Sequence, residues 1–431
     1  MREKRWPIRA MSIVWAVNAV LLSATSGQSQ RQAVTFAQYL RESAVDKSVI
    51  RTFLNEDTWA QFDAEVGYIL GNYMPRDGLD RSLTISTAQR NGQRTSFLYA
   101  GRPCRINTYG NSFTQCHQVS DGETWQEYLA AHLGEPIRNF GMGGYGVYQA
   151  YRRMLREEAR DHAAEYVILY IWGDDHIRSL LRCRHASFYK HWKHLGGTMF
   201  HNNFWPNIEM DLRNGQWVEN ENRLPTPESL YKMTDADWMY ENLRDDLALQ
   251  MHVFLQGYIR DIDREAVGTL ARRLELPIPD SAARPRDLRG YVRRVLDTYS
   301  LAATKHILAK TREFTNGHGK KLLVVLLDPG RVLPQLIKGQ PRYDQEILDF
   351  LEENGFAYFD MNVVHVEDYK CFRLSYEQYR KRYFIGHYNP SGNHFFAFAI
   401  KETIVNWLDP KPITYRRSEE SMVQFKDYLP K

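Results

Sequence analysis

Cysteine is scarce in this chain: Cys104, Cys116, Cys183 and Cys371 are the only four in 431 residues, and none forms a CxxC pair. That spacing gives a zinc site little support. No apolar run approaches the roughly 20 residues needed to cross a bilayer, so a stable transmembrane anchor is not expected. Neither sign of charge dominates, with 56 Lys+Arg against 52 Asp+Glu. There is no internal repeat and no low-complexity tract, which sets aside repeat arrays and disordered tails as the main architecture.

What is present is core-forming material. Hydrophobic residues make up 43% and aromatics 13%, with ten Trp and 26 Tyr, enough for a large packed interior and for aromatic-lined clefts. The length points to one sizeable core carrying an insertion, or to two domains. The first 26 residues differ from the rest. Arg2, Lys4, Arg5 and Arg9 precede the apolar run "MSIVWAVNAVLLS", and the small residues Ala24, Thr25 and Ser26 follow it. This pattern predicts a signal peptide over 1–26 and hence a secreted or periplasmic protein. No cysteine follows that would carry a lipid. Without the leader, 52 basic and 51 acidic residues remain, a balance that argues for neither nucleic acid nor an anionic membrane as partner.

Five short runs read as strands: "CRINTYG" (104–110), "PIRNFG" (136–141), "YVILYIWG" (166–173), "KLLVVLLD" (321–328) and "FAYFDM" (356–361). The third and fourth are continuously apolar, as strands buried on both faces must be. Helix-like segments alternate with them: "DGETWQEYLAAHLG" with Asp121 as its expected N-cap, "GVYQAYRRMLREEARDHAA", "YSLAATKHILAKTREFTNG", "YDQEILDFLEENG" and "NHFFAFAIKETIVNWL". The alternation predicts βαβ crossovers and a parallel sheet covered on both sides. Two regions break the pattern. Residues 35–100 precede the first strand and include an expected exposed hairpin or loop, "RSLTISTAQRNGQR". Residues 184–315 interrupt the fold with Trp- and His-rich loops and then helical sequence, an insertion or lid.

Ligands of open parallel sheets bind beyond the carboxyl ends of the strands. That rim would collect "GNS" after the first strand, "GMGG" after the second and "WGDDH" after the third. Gly110-Asn111-Ser112, "NFGMGG" (139–144), "WGDD" (172–175) and "FIGHYNPSGNH" (384–394) together resemble, in order, the four blocks of the SGNH, or GDSL-type, hydrolase superfamily. The resemblance covers 101–183 and 316–408, about 40% of the chain. It implies a three-layer α/β/α sandwich around a parallel, five-stranded, flavodoxin-like sheet, with a helical insertion and a tail from 409 to 431. It also implies Ser112 as nucleophile and His387 as its base, with an oxyanion hole at Ser112 N–H, Gly144 N–H and Asp174. Such chemistry needs no cofactor and no metal.

Three positions depart from the family pattern: Asn111 replaces an aspartate, Asp174 replaces an asparagine, and Phe384 and Ile385 stand where an aspartate would orient His387. Asp360 and Asp368 are the substitutes considered for that aspartate. A disulfide from Cys116 to Cys183 or Cys371 is expected beside Ser112. Asp174 and His176, with no third ligand in view, read as a polar cluster.

The function implied is an exported serine esterase acting on acyl esters, either small molecules or O-acetyl groups on polysaccharide, with Trp192, Trp205 and Trp238 available to stack on sugars. Acyl transfer to a sugar hydroxyl is the second reading. A catalytically degenerate glycan-binding protein is the third. Neither oligomeric state nor the identity of the acyl group is legible.

Overall fold

The computed structural model describes residues 33–192, 197–198, 200, 203–277 and 285–416. The expected leader at 1–26 and residues 417–431 of the expected tail lie outside the described residues. Nine strands are present among the described residues: β1 (Ala60–Asp63), β2 (Gly67–Leu70), β3 (Ile106–Gly110), β4 (Ile137–Asn139), β5 (Tyr166–Trp172), β6 (Asn207–Met210), β7 (Trp217–Asn220), β8 (Lys321–Leu327) and β9 (Ala357–Asp360).

Five of them form one sheet in the order β4-β3-β5-β8-β9, and every pairing is parallel. Counted by their appearance in the chain these strands run 2-1-3-4-5, the flavodoxin-like order. Helices flank the sheet, giving a three-layer α/β/α architecture. Alternate side chains of the central strands enter two separate cores. Tyr109, Val167, Leu169, Ile171, Val324 and Leu326 join one, and Ile106, Tyr166, Ile168, Tyr170, Leu323, Val325 and Leu327 join the other. Both sets are buried, which explains why the β5 and β8 sequences show no polar alternation.

The hairpins β1–β2 and β6–β7 lie outside this sheet, one in the N-terminal extension and one in the insertion. Extension and insertion meet over the first core: the Tyr39 hydroxyl donates to the Ala186 carbonyl at 2.8 Å, and Val45 N–H donates to the Met233 carbonyl at 2.9 Å. The helix expected from Tyr299 is the second half of a longer one, Pro285–Gly317. At its other end the tail begins in an ordered way, since Asp409 N–H donates to the Tyr166 hydroxyl at 2.8 Å and Arg105 donates to the Pro410 carbonyl.

One local expectation fails and another holds only in part, for one reason: the loop 81–94 is exposed along 81–83, 85 and 89–90 and buried at Arg94. The helix Trp125–Leu133 is capped by Thr124, whose hydroxyl accepts from Glu127 N–H at 3.2 Å, and not by Asp121. Asp121 is committed to Arg94, a residue of the expected exposed loop that is only 1% accessible. The Arg94 main chain lies antiparallel along the outer edge of β4, donating to Asn139 O at 2.9 Å and covering an otherwise open strand. Its guanidinium donates from Nε to Asp121, from Nη1 to the carbonyls of Gln115 and Cys116, and from Nη2 to the carbonyl of Val119. A buried cation of this kind persists only with its hydrogen bonds satisfied.

Arg94→Met leaves the buried Asp121 carboxylate without its counter-charge, held only by Thr87, and takes the guanidinium donor from three main-chain carbonyls. The expected loss is about 3–5 kcal/mol of folding stability, measurable as a lower midpoint in urea; an unchanged midpoint would show that the pair is dispensable.

Candidate active site

Strand β3 delivers the chain to the site through Gly110, whose φ of +149° suits glycine. A Cβ there would also come within 2.4 Å of the Tyr170 carbonyl. The next residue, Asn111, caps a single helical turn, Ser112–Gln115, by accepting from Phe113 N–H at 2.7 Å. Ser112 therefore occupies the first position of the turn, with its side chain at the rim and 9% of its surface accessible.

His387 arrives from the other end of the chain, two residues before the Asn389 cap of the helix Pro390–Trp407. The loop that carries it closes through an isolated antiparallel bridge, Phe384 to Tyr388. A buried polar network supports this loop from behind. His365 bonds Tyr379 at 2.9 Å and Tyr388 at 2.6 Å, while both Tyr379 and Tyr383 donate to Asp368 at 2.9 Å. Ser112 Oγ and His387 Nε2, 275 positions apart in sequence, lie 2.8 Å apart.

The other ring nitrogen settles the tautomer. His387 Nδ1 is 3.0 Å from Gln118 Oε1, and the same oxygen accepts from His387 main-chain N–H at 2.9 Å. A main-chain N–H can meet only an acceptor, so the amide must present oxygen on this side. On the far side Gln118 Nε2 donates to the Asp77 carbonyl at 3.1 Å, which fixes the same orientation independently. Nδ1 consequently carries the proton and Nε2 turns its lone pair toward Ser112.

Neither aspartate considered as the orienter reaches His387. Asp360 pairs with Arg342 and caps the helix Met361–Lys370, and Asp368 is occupied by the two tyrosines. Gln118 sits six residues after Ser112 at a left-handed φ of +73°, a placement that no spacing rule announces. Asp77, His117 and Gln118 were all missed in the sequence. Asp77 belongs to the N-terminal extension; its carboxylate accepts from the Thr84 hydroxyl at 2.6 Å and lies 3.1 Å from His117 Nε2. The His117 and His387 rings are 5.0 Å apart. Burial, then the neighbouring His117, hold the His387 imidazole well below its usual range, with Asp77 pulling the other way. The ring is therefore neutral, able to accept a proton, across the neutral range.

The glycine block packs against the serine turn. A Cβ on Gly141 would sit 2.2 Å from Gln115 N, and Gly143 N–H donates to Gln115 Oε1 at 2.7 Å. Gly144 adopts φ +85°, which favours glycine. Asp174 lies at the start of the turn Asp175–Arg178 with its carboxylate 3.7 Å from Arg178 Nη2, so its side chain is turned toward a cation. Asp175 is buried under the serine turn, bonded to Asn111, to Trp172 N–H at 2.8 Å and to Arg178 at 3.0 Å. Burial pushes its carboxyl up to about 7. Asn111 thus offers an amide donor to Asp175 where an aspartate would add a second carboxylate. His176 is buried against the Thr304 hydroxyl, and no group of His, Cys, Asp and Glu suited to a metal occurs among the described residues.

No protein-family model and no curated protein sequence matches the chain. Among solved structures it is similar to a member of the lipolytic protein G-D-S-L family from Veillonella parvula DSM 2008, at 12% identity, covering 69% of this chain and 97% of that one with a TM-score of 0.34. It is also similar to an acetyl xylan esterase from the rumen bacterium Butyrivibrio proteoclasticus, at 9% identity, covering 73% of this chain and 66% of that one with a TM-score of 0.29. The observed sheet order, and the four blocks meeting at its rim, agree with an SGNH-type hydrolase fold on their own.

Other expectations are corrected here. Cys104, Cys116 and Cys371 are free thiols, so the disulfide beside Ser112 is not formed. Cys116 is buried and its thiol donates to Gln126 Oε1 at 3.2 Å. Trp205 is a core residue, 1% accessible and stacked on Tyr68, and Trp238 packs edge-on against Phe204, so neither is a free sugar platform. The Trp192 side chain lies outside the described residues.

Gln118→Ala removes the acceptor for Nδ1–H and is expected to lower kcat/KM on an aryl ester roughly 10- to 100-fold, less than the about 10⁴ lost when a triad carboxylate is disabled. Gln118→Glu places a negative charge on the ring, raises the His387 pKa and moves the acid limb of the pH–rate profile upward. An unmoved limb in that variant would remove Gln118 from contact with the base.

Proposed function

We propose that the protein is a serine hydrolase that cleaves acyl esters through Ser112 and His387. The observation that carries this reading is the 2.8 Å contact between Ser112 Oγ and a histidine nitrogen left unprotonated by its neighbours. A serine hydroxyl becomes a useful nucleophile only with a base at that distance.

In the proposed reaction Oγ attacks the acyl carbon while its proton passes to His387 Nε2. The negative oxygen that forms is met by the N–H groups of Ser112 and Gly144, which donate to no group among the described residues. Each such donor lowers the barrier by about 3–4 kcal/mol. Asp174, turned toward Arg178, contributes charge balance at the edge of the hole and no hydrogen. The alcohol then departs with the proton from Nε2. Water attacks the acyl-enzyme, gives its proton to Nε2, and the serine is released when that proton returns to Oγ. Throughout, Gln118 holds Nδ1–H. A neutral amide stabilises the transient imidazolium less than a carboxylate does, and Asp77 supplies the missing negative charge from behind His117.

The expected leader supports export as part of this proposal. An O-acetylated polysaccharide is one fitting substrate and a small-molecule ester another. No helix of the described residues is long and apolar enough to cross a membrane. Acyl transfer proceeds through the same acyl-enzyme with a sugar hydroxyl replacing water, so product analysis with an acyl donor and a glycan acceptor separates the two.

A fluorophosphonate probe is expected to label the wild type and to fail on Ser112→Ala. Absence of wild-type labelling would leave only the glycan-binding reading. Because burial lowers the His387 pKa, the base is lost to protonation only well under its usual value, so kcat/KM on an aryl acetate should hold as pH falls through about 6.5. An acid limb centred above that point would contradict the neutral-ring assignment.

A further inference from the structure

Two arginines beside the site have more donors than partners. Arg178 and Arg184 are 8% and 5% accessible, and the Nε of each is buried with no hydrogen-bond partner. Arg184 makes one side-chain hydrogen bond, Nη1 to Ser187 Oγ at 2.9 Å, stacks 3.7 Å over the Phe188 ring, and pairs with no carboxylate among the described residues. Asp174 and Asp175 act on Arg184 only through space; an arginine buried without a contacting counter-charge is costly, and the usual remedy is an anion. Arg178 is only partly neutralised. Its Nη1 is spent on Asp175, a carboxyl that burial keeps near half-protonated at neutral pH, and its Nη2 stands 3.7 Å from the exposed Asp174.

Arg178 is tied to the reacting groups through two stacked rings, and Arg184 feels the charge of Arg178. Arg178 lies 4.9 Å over the Trp172 ring, Trp172 stacks on Phe113 at 5.9 Å, and Phe113 follows Ser112 with its ring 5.2 Å from that of His387. Both arginines act electrostatically on Tyr68, whose hydroxyl donates to the Gly143 carbonyl in the glycine block. Burial, then the charge of Arg178, push the Arg184 guanidinium down from its usual range. His252, also near both, is driven to about 4 chiefly by burial and so offers no negative or positive relief.

We propose that Arg178 and Arg184 form a substrate subsite for a carboxylate, so that the ester cleaved at Ser112 belongs to an anionic compound such as an acylated uronic-acid glycan. The proposal rests on the hydrolase reading for the reaction, though not for the binding. The fork of a guanidinium matches a carboxylate, and each freed donor forms a charge-assisted bond when the anion arrives. Arg184 is a binding residue here, and Arg178 both binds and holds Asp175 under the serine turn.

The test uses the intact protein. Calorimetric titration of the wild type with an oligogalacturonate, compared with an uncharged oligogalactan of the same length, is expected to show about tenfold or greater preference for the uronate. That preference should weaken with added salt and vanish in Arg184→Gln. In parallel, kcat/KM for para-nitrophenyl hemisuccinate against para-nitrophenyl butyrate asks whether the carboxylate is read on the acyl side; preference for the uronate alone places it on the alcohol side. Equal treatment of charged and uncharged partners in both comparisons overturns the subsite, and needs no variant to fold. Arg184-dependent uronate binding with no ester turned over would keep the subsite and sink the hydrolase. Turnover of neutral and charged esters alike, with no uronate binding, would do the reverse.

Discussion

A guanidinium shut away from water has to find every acceptor inside the protein, and Arg94 finds four of them within one short stretch of chain. Its bonds to Gln115, Cys116 and Val119 carbonyls, braced by Asp121, hold a loop containing two non-glycine residues at left-handed φ, Cys116 and Gln118. Left-handed conformations of such residues persist only where the surroundings over-determine them. The geometry of the histidine therefore traces back to a residue of the N-terminal extension: Arg94 fixes the loop, the loop presents Gln118, and Gln118 sets the imidazole.

That dependence also explains the electrostatic character of the site. A carboxylate next to the ring would raise its affinity for protons, whereas an amide orients without that effect. The negative charge is one residue further off, at Asp77, where it faces His117 and reaches His387 only through space. In the proposed mechanism the arrangement separates two jobs that one aspartate performs in a conventional triad, positioning and charge stabilisation.

The sheet and its two ends were legible because their signals are local. Continuous apolar runs at 166–172 and 322–327 match strands buried on both sides, and Gly110 and Gly144 take φ of +149° and +85°, which favour glycine. The serine and histidine were legible as members of ordered blocks. Gln118 and Asp77 were not, since their roles arise from where Arg94 pins the backbone, and nothing in "QCHQ" or "MPRDG" distinguishes those residues from surface polar ones. Asp121 illustrates the same limit from the opposite side: it has the right chemistry for a helix cap, and a distant cation claims it. The expected disulfide failed because proximity to one rim in sequence order says nothing about the direction of each thiol, and Cys116 points inward to Gln126.

The insertion and the N-terminal extension share one hydrophobic core with a face of the central sheet, joined by Tyr39 to Ala186, Val45 to Met233 and the pairing of Val34 with Ile259. A flap that swings clear of an active site needs a seam it can part along at small expense. Here the seam is stitched with buried side chains, so the insertion behaves as a wall.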